Sequence, residues 1–228
     1  MKNKLVFVAD ELFFLAGANM KSMAKFYSSI YDNFDMGRFA ELTKTFGLDP
    51  SKSISNFSKG MKRQAAIILA LSTRAKYMFF DETFDGLDPV VRKLVKKIII
   101  DNVSANDMTV VVASHNLREL EELCDRICLM HKGKLLLERE IDEIKLGLRK
   151  VQVAFTEVPD NSFFNEINVI NTWRNGNIFN LTIKGTEEEF MPKLQELNPI
   201  YISAVPMTLE EIFICEMGVA GYDTENIL

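Results

Sequence analysis

Phe79-Phe80-Asp81-Glu82 sets two adjacent carboxylates behind a run of apolar aromatic residues. Such a run predicts a buried strand, so the pair falls at its carboxyl end, the edge where open α/β sheets hold ligands. A carboxylate there is costly unless a cation or hydrogen-bond donors compensate it. Mg2+ accompanying a nucleotide would suit Asp81, and Glu82 could then orient or deprotonate an attacking water. The plainer reading is that the pair only ends the strand and opens the next loop. Asp85-Gly86-Leu87-Asp88-Pro89 follows, a tight acidic turn leading into a helix. The next apolar strand ends in Ser114-His115, which brings an imidazole to the same sheet edge as Glu82, either structural or placed to read a phosphate. Upstream, Ser58-Lys59-Gly60-Met61-Lys62-Arg63 puts a serine, a glycine and basic residues at a helix start. Exposed amides and the positive end of the helix dipole favour an anion there. An ordinary capped helix with a solvated basic turn would read the same way.

The elements that must position these groups follow from periodicity. Residues 5–8 read as a strand, and residues 19–30 and 36–46 as helices, the second stopped by Gly47 and Pro50. Residues 62–71 predict a third helix. Residues 77–80 and 109–113 do not alternate and fit strands buried on both faces of a parallel sheet, with residues 90–102 as the crossover helix. Residues 116–124 carry a helical stripe, and 127–130 with 134–137 predict a strand pair around His131-Lys132-Gly133. Beyond Lys150 the pattern turns to strands at 151–155, 169–173, 178–183 and 201–205, with helices at 187–197 and from Leu209. The fold class is α/β. Residues 1–148 form the first domain and 149–228 a small α+β appendage.

At 228 residues, 47% hydrophobic and 26% charged, the chain suffices for one good-sized folded domain and a small second one. With 27 basic and 32 acidic side chains its net charge is −5, which argues against nonspecific nucleic-acid binding. A single nucleotide stays open, because backbone amides, one lysine and a metal ion can hold its phosphates. The longest apolar run, residues 65–71, is too short to cross a bilayer. Lys2 and Lys4 are followed by Asp10 and Glu11, with no cleavable signal pattern. Cys124, Cys128 and Cys215 are too few and too oddly spaced for a disulfide framework or a zinc site, so a reducing, cytoplasmic setting is the default.

The order and spacing of these motifs resemble the ATP-binding cassette (ABC) family, the ATPase subunits of ABC transporters. Residues 56–64 look like its signature motif in the Ser-Lys-Gly-Met form, and residues 77–81 like its Walker B strand. Glu82 stands at the position of the catalytic glutamate, residues 85–89 resemble the D-loop, and His115 stands where the switch histidine does. Phe7-Val8-Ala9-Asp10-Glu11 resembles the Q-loop segment, and residues 207–213 resemble the ending of such subunits. The resemblance implies an incomplete P-loop NTPase fold with a helical subdomain. It assigns catalysis to Glu82 and His115, and Mg2+ to Asp81 through water. ATP contact falls to Ser58, Lys59, Gly60, Met61, Asp88 and Asp10. It also implies a second cassette as dimer partner, a separate transmembrane permease, no nucleic acid, and a cytoplasmic place at the inner face of the cell membrane.

The departures from the family pattern carry as much. Thr83-Phe84 replaces the usual Pro-Thr, Met61 the signature glutamine, and Asp10 the glutamine of the Q-loop, where a carboxylate could still reach metal or water. None of the 11 glycines builds Gly-x-x-x-x-Gly-Lys-Ser/Thr, the loop that supplies most phosphate amides, the lysine and a metal-binding hydroxyl. The resemblance therefore implies a cassette without its front segment, with weak ATP binding and little hydrolysis alone, and with apolar sheet faces left uncovered. A P-loop-less cassette acting as a regulatory or heterodimer partner is the alternative.

Overall fold

The computed structural model describes residues 2–157 and 166–219. By packing, the chain divides into two compact units, Met1–Asn116 and Leu117–Leu228. This division falls earlier in the chain than the boundary expected at 148/149.

The first unit contains β1 (Leu5–Val8), α1 (Met20–Ser28), α2 (Met36–Thr45), α3 (Lys59–Ser72), β2 (Tyr77–Asp81), α4 (Pro89–Asn106) and β3 (Thr109–Ala113). Its helices start where short polar side chains can take orphan amides. Asn19 and Ser22 form a reciprocal capping box on α1, Ser22 N–H donating to Asn19 Oδ1 at 2.9 Å. Asp35 caps α2 through the Arg38 N–H at 2.8 Å. Ser58 caps α3, accepting from the Met61 N–H at 3.2 Å. This cap starts α3 at Lys59, ahead of the expected Lys62, because a helix begins at its first capped turn and not at its first apolar residue. Asp88 caps α4, whose first residue is Pro89, suited to a position with no amide partner.

The three strands lie side by side in the order β1-β2-β3, both pairs parallel. Val8 aligns with Phe80 and Phe80 with Val112, so the strands end at one edge. α3 is buried from Arg63 to Ser72 and packs on β1, α1 and α2. One expectation is corrected here. The strands are not buried on both faces: Val6, Val8, Met78 and Phe80 are buried, whereas Leu5, Phe7, Tyr77 and Val111 are 43, 56, 42 and 47% exposed. An unbroken apolar run says that both faces tolerate cover. It does not say that the described residues provide it.

The second unit contains α5 (Leu117–Leu123), the antiparallel hairpin of β4 (Arg126–His131) and β5 (Lys134–Glu140), and α6 (Ile141–Gly147). It continues with β6 (Leu148–Ala154), β7 (Val169–Asn175), β8 (Ile178–Lys184), α7 (Glu187–Glu196), β9 (Tyr201–Pro206) and α8 (Leu209–Val219). The last four strands form an antiparallel sheet in the order β7-β8-β6-β9. Alternate residues Val151, Val153, Phe179, Leu181 and Ile183 face Phe190 and Leu194 of α7 in one core. Ile144, Leu148, Met207 and Ile212 form a second core, joined by Ile127, Leu137 and Cys215. The short α6 has no counterpart in the sequence reading. Its buried apolar residues are only Ile141 and Ile144, too short a stripe to register. Among the described residues no helix is long and apolar enough to cross a membrane.

Candidate functional site

Asp81 is the last residue of β2, the central strand of the parallel sheet. Glu82 leaves the strand with φ +46°, a left-handed conformation that costs an L-residue about 1–2 kcal/mol. Two backbone hydrogen bonds hold it: Glu82 N–H donates to Ala113 O at 2.9 Å, and Asp85 N–H donates to Glu82 O at 3.2 Å. Thr83 and Phe84, which replace the family's Pro-Thr, are 0 and 1% exposed and anchor the turn in the core.

The turn aims the Glu82 carboxylate across the sheet edge at the end of β3. His115 N–H donates to its Oε1 at 3.0 Å, and the Ser114 hydroxyl lies 3.4 Å from Oε2. The His115 imidazole Nδ1 lies 2.9 Å from Oε2. The imidazole and carboxylate that the sequence placed on one edge are thus in contact. Glu82 is mostly shielded, while the His115 side chain is 73% exposed. Asp85 joins them: one donor atom from each of Glu82, Asp85 and His115 lies within 4.8 Å of the others.

The remaining site residues fall at the start of α3 and in the turn. Gly60 and Gly86 approach so closely that a Cβ on Gly60 would sit 2.8 Å from the Gly86 carbonyl oxygen. Gly86 itself has φ +76°, and the Lys59 side-chain carbons lie against it. The signature-like segment and the acidic turn are therefore in backbone contact. Gly60→Ala is expected to lower stability by about 1–2 kcal/mol, a backbone overlap outweighing the helix propensity gained. A urea midpoint measures the loss. Gly147→Ala, where a Cβ meets nothing within 4 Å, serves as the neutral control.

Asp88 is occupied as a cap, its Oδ1 accepting from the Val90 and Val91 N–H groups, both at 3.0 Å. The Asp10 carboxylate pairs with Arg63 at 2.8 Å. The same guanidinium donates to Ala9 O at 3.1 Å and Asp10 O at 3.0 Å, and its side chain is 1% exposed. Sequence reasoning passed over Arg63 as one of several basic residues at a helix start. Its available signal was position: five residues past the cap, it stands two residues before the unbroken apolar run of residues 65–71.

The arrangement is that of an α/β domain with the P-loop NTPase fold. Two solved structures share that fold. A structure described as the ATP-binding subunit of an ABC transporter superposes with TM-score 0.58, 19% identity, over 63% of this chain and 61% of its own. A putative cobalt transport ATP-binding protein, cbiO-2, gives TM-score 0.54 and 15% identity over 87% of this chain and 69% of its own. A family model described as an AAA domain, putative AbiEii toxin, type IV TA system, matches residues 21–121. Among sequence relatives, the ABC transporter ATP-binding protein YtrB of Bacillus subtilis is 28% identical over 219 residues, 96% of this chain and 74% of that protein. The bacitracin transport ATP-binding protein BcrA of Bacillus licheniformis is 34% identical over 112 residues, 48% of this chain and 37% of BcrA. Apart from YtrB, the chain spans well under half of the first relatives it matches, 41 and 37% of the next two. The chain is thus similar to ATP-binding proteins of ATP-binding cassette transporters.

Proposed function

We propose that these 228 residues form the hydrolytic and signature part of an ATPase subunit that couples ATP to transport through a separate permease. The observation that carries this reading is the contact of the Glu82 carboxylate with His115 at the end of the central strand, beside Asp81. Asp81 offers the hard oxygen donor that Mg2+ takes, and would hold it through water. Such an ion neutralises phosphate charge when bound. Glu82 accepts the proton of the attacking water, and His115 hydrogen-bonds the terminal phosphate. Ser58, Lys59, Gly60 and Met61 close over the triphosphate of a second cassette, using amides at the start of α3. Asp88 holds the turn between them, and Asp10 ties the loop after β1 to α3 through Arg63.

No Gly-x-x-x-x-Gly-Lys-Ser/Thr occurs within these residues, so the main phosphate grip is contributed by residues outside them. The open sheet face of Leu5, Phe7, Tyr77 and Val111 supports this division, since apolar surface of that kind calls for cover. Phe13, 76% exposed, and Leu15, 40% exposed, give the loop after β1 an apolar surface suited to a permease. Residues 149–228 act as an accessory domain, and the subunit works from the cytoplasmic side of the membrane. Titration calorimetry with Mg-ATP tests the reading. The chain alone is expected to show no saturable binding at physiological nucleotide concentration, and to gain it once a phosphate-loop strand and helix are joined ahead of it. A micromolar isotherm from the chain alone overturns the division. Continued absence of binding after joining favours the non-hydrolytic partner cassette instead.

A further inference from the structure

The cluster of Glu82, Asp85 and His115 has the composition of a metal site quite apart from any nucleotide. One imidazole nitrogen and two carboxylate oxygens, each from a different side chain, lie within 4.8 Å of one another. Donors about 2.0–2.2 Å from a tetrahedral zinc ion sit roughly 3.4 Å apart, so modest side-chain rotations close these three around one ion. One pair, His115 Nδ1 and Glu82 Oε2, is already at 2.9 Å. The backbone fixes the frame: His115 N–H holds Glu82 Oε1, and Asp85 N–H is bonded to the Glu82 carbonyl. Glu82 and Asp85 therefore belong to one turn whose geometry the core sets through buried Thr83 and Phe84. The exposed imidazole gives an ion direct entry from solvent.

The donor set decides the class of ion. An imidazole with two carboxylates selects borderline first-row ions such as Zn2+, Co2+ or Ni2+, whereas Mg2+ and Ca2+ prefer oxygen alone. Three protein ligands leave a fourth position to water, as in exchangeable rather than structural sites. We propose that Glu82, Asp85 and His115 form a binding site for a divalent first-row transition ion, filled when nucleotide is absent. Resting on the hydrolytic role proposed above, the ion takes the lone pair with which Glu82 accepts the water's proton and ties down the imidazole that reaches the phosphate, and so holds the subunit inactive.

Calorimetric titration of the full chain with zinc chloride, in metal-free buffer without nucleotide, tests the site itself. One ion per chain is expected to bind with a dissociation constant in roughly the micromolar range. His115→Ala and Asp85→Asn should each weaken binding at least ~10-fold, the smaller effect of losing even an outer-shell partner. His131→Ala and Cys128→Ser should leave it unchanged, as should millimolar Mg2+. Zinc should also shift the imidazole NMR signals of His115 and leave those of His131, the chain's other histidine, in place; this needs no variant to fold. No binding, binding unaffected by His115→Ala, or binding lost with Cys128→Ser overturns the proposal. None of these arms contains ATP, so failure here is separate from failure of the hydrolytic reading.

Discussion

Glu82→Gln is expected to lower ATP turnover by about 10³-fold in an assembly that includes a phosphate loop, with nucleotide affinity nearly unchanged. The substitution is matched in size, and an amide oxygen can still accept the His115 N–H now 3.0 Å from Oε1. The turn should survive, because its conformation rests on backbone bonds to Ala113 and Asp85 and on buried Thr83 and Phe84. What disappears is the basic oxygen facing the imidazole. A loss of turnover with binding intact therefore reports removal of a general base and not collapse of the edge. Steady-state hydrolysis and nucleotide titration of the same preparation measure the two quantities. Persistent hydrolysis would remove Glu82 from the mechanism.

Arg63→Met should lower stability by about 3 kcal/mol, whereas Asp10→Asn should cost less than about 1 kcal/mol. The asymmetry follows from burial. The Arg63 side chain is 1% exposed and makes three hydrogen bonds to the segment after β1, two of them to backbone carbonyls. Removing it strips charge-assisted bonds from those carbonyls at once. Asp10 is 56% exposed on its side of the pair, so water already screens much of its charge. The amide that replaces its carboxylate would also still offer an oxygen to the guanidinium. Urea unfolding of the two variants separates the effects. Equal losses would mean that the Coulombic pair, rather than the backbone bonds, holds the segment to α3.

The same arginine shows what a sequence does and does not disclose. Every helix and strand that carries a site residue was readable from periodicity and caps, because a capped helix and an apolar run are local phenomena. The adjacency of Glu82 and His115 was also readable, since parallel neighbouring strands must end at one edge. The Arg63 tether was not, because it joins residues 53 and 54 positions apart, and nothing in a basic helix start says which cation turns inward. The Gly60–Gly86 approach was equally hidden, since a glycine reads the same in a tight contact as in an open turn. Burial of the strands was misread for a related reason: apolar composition measures what can be covered, and cover is a property of the neighbours.

By itself, then, the sequence determined the chemistry on offer: Asp81 and Glu82 at a strand end, His115 one strand over, and Ser58 to Met61 at a helix start. These rest on short-range rules of backbone geometry, which act over a few residues and need no knowledge of the rest of the chain. Tertiary structure alone decided how the groups are used. It set Glu82 in a left-handed turn against His115, drew Asp85 into the same cluster, committed Asp88 to a helix cap, and turned Asp10 toward a buried arginine. Each of those outcomes depends on which long-range partner arrives to satisfy a polar group, and only the packed chain supplies that partner.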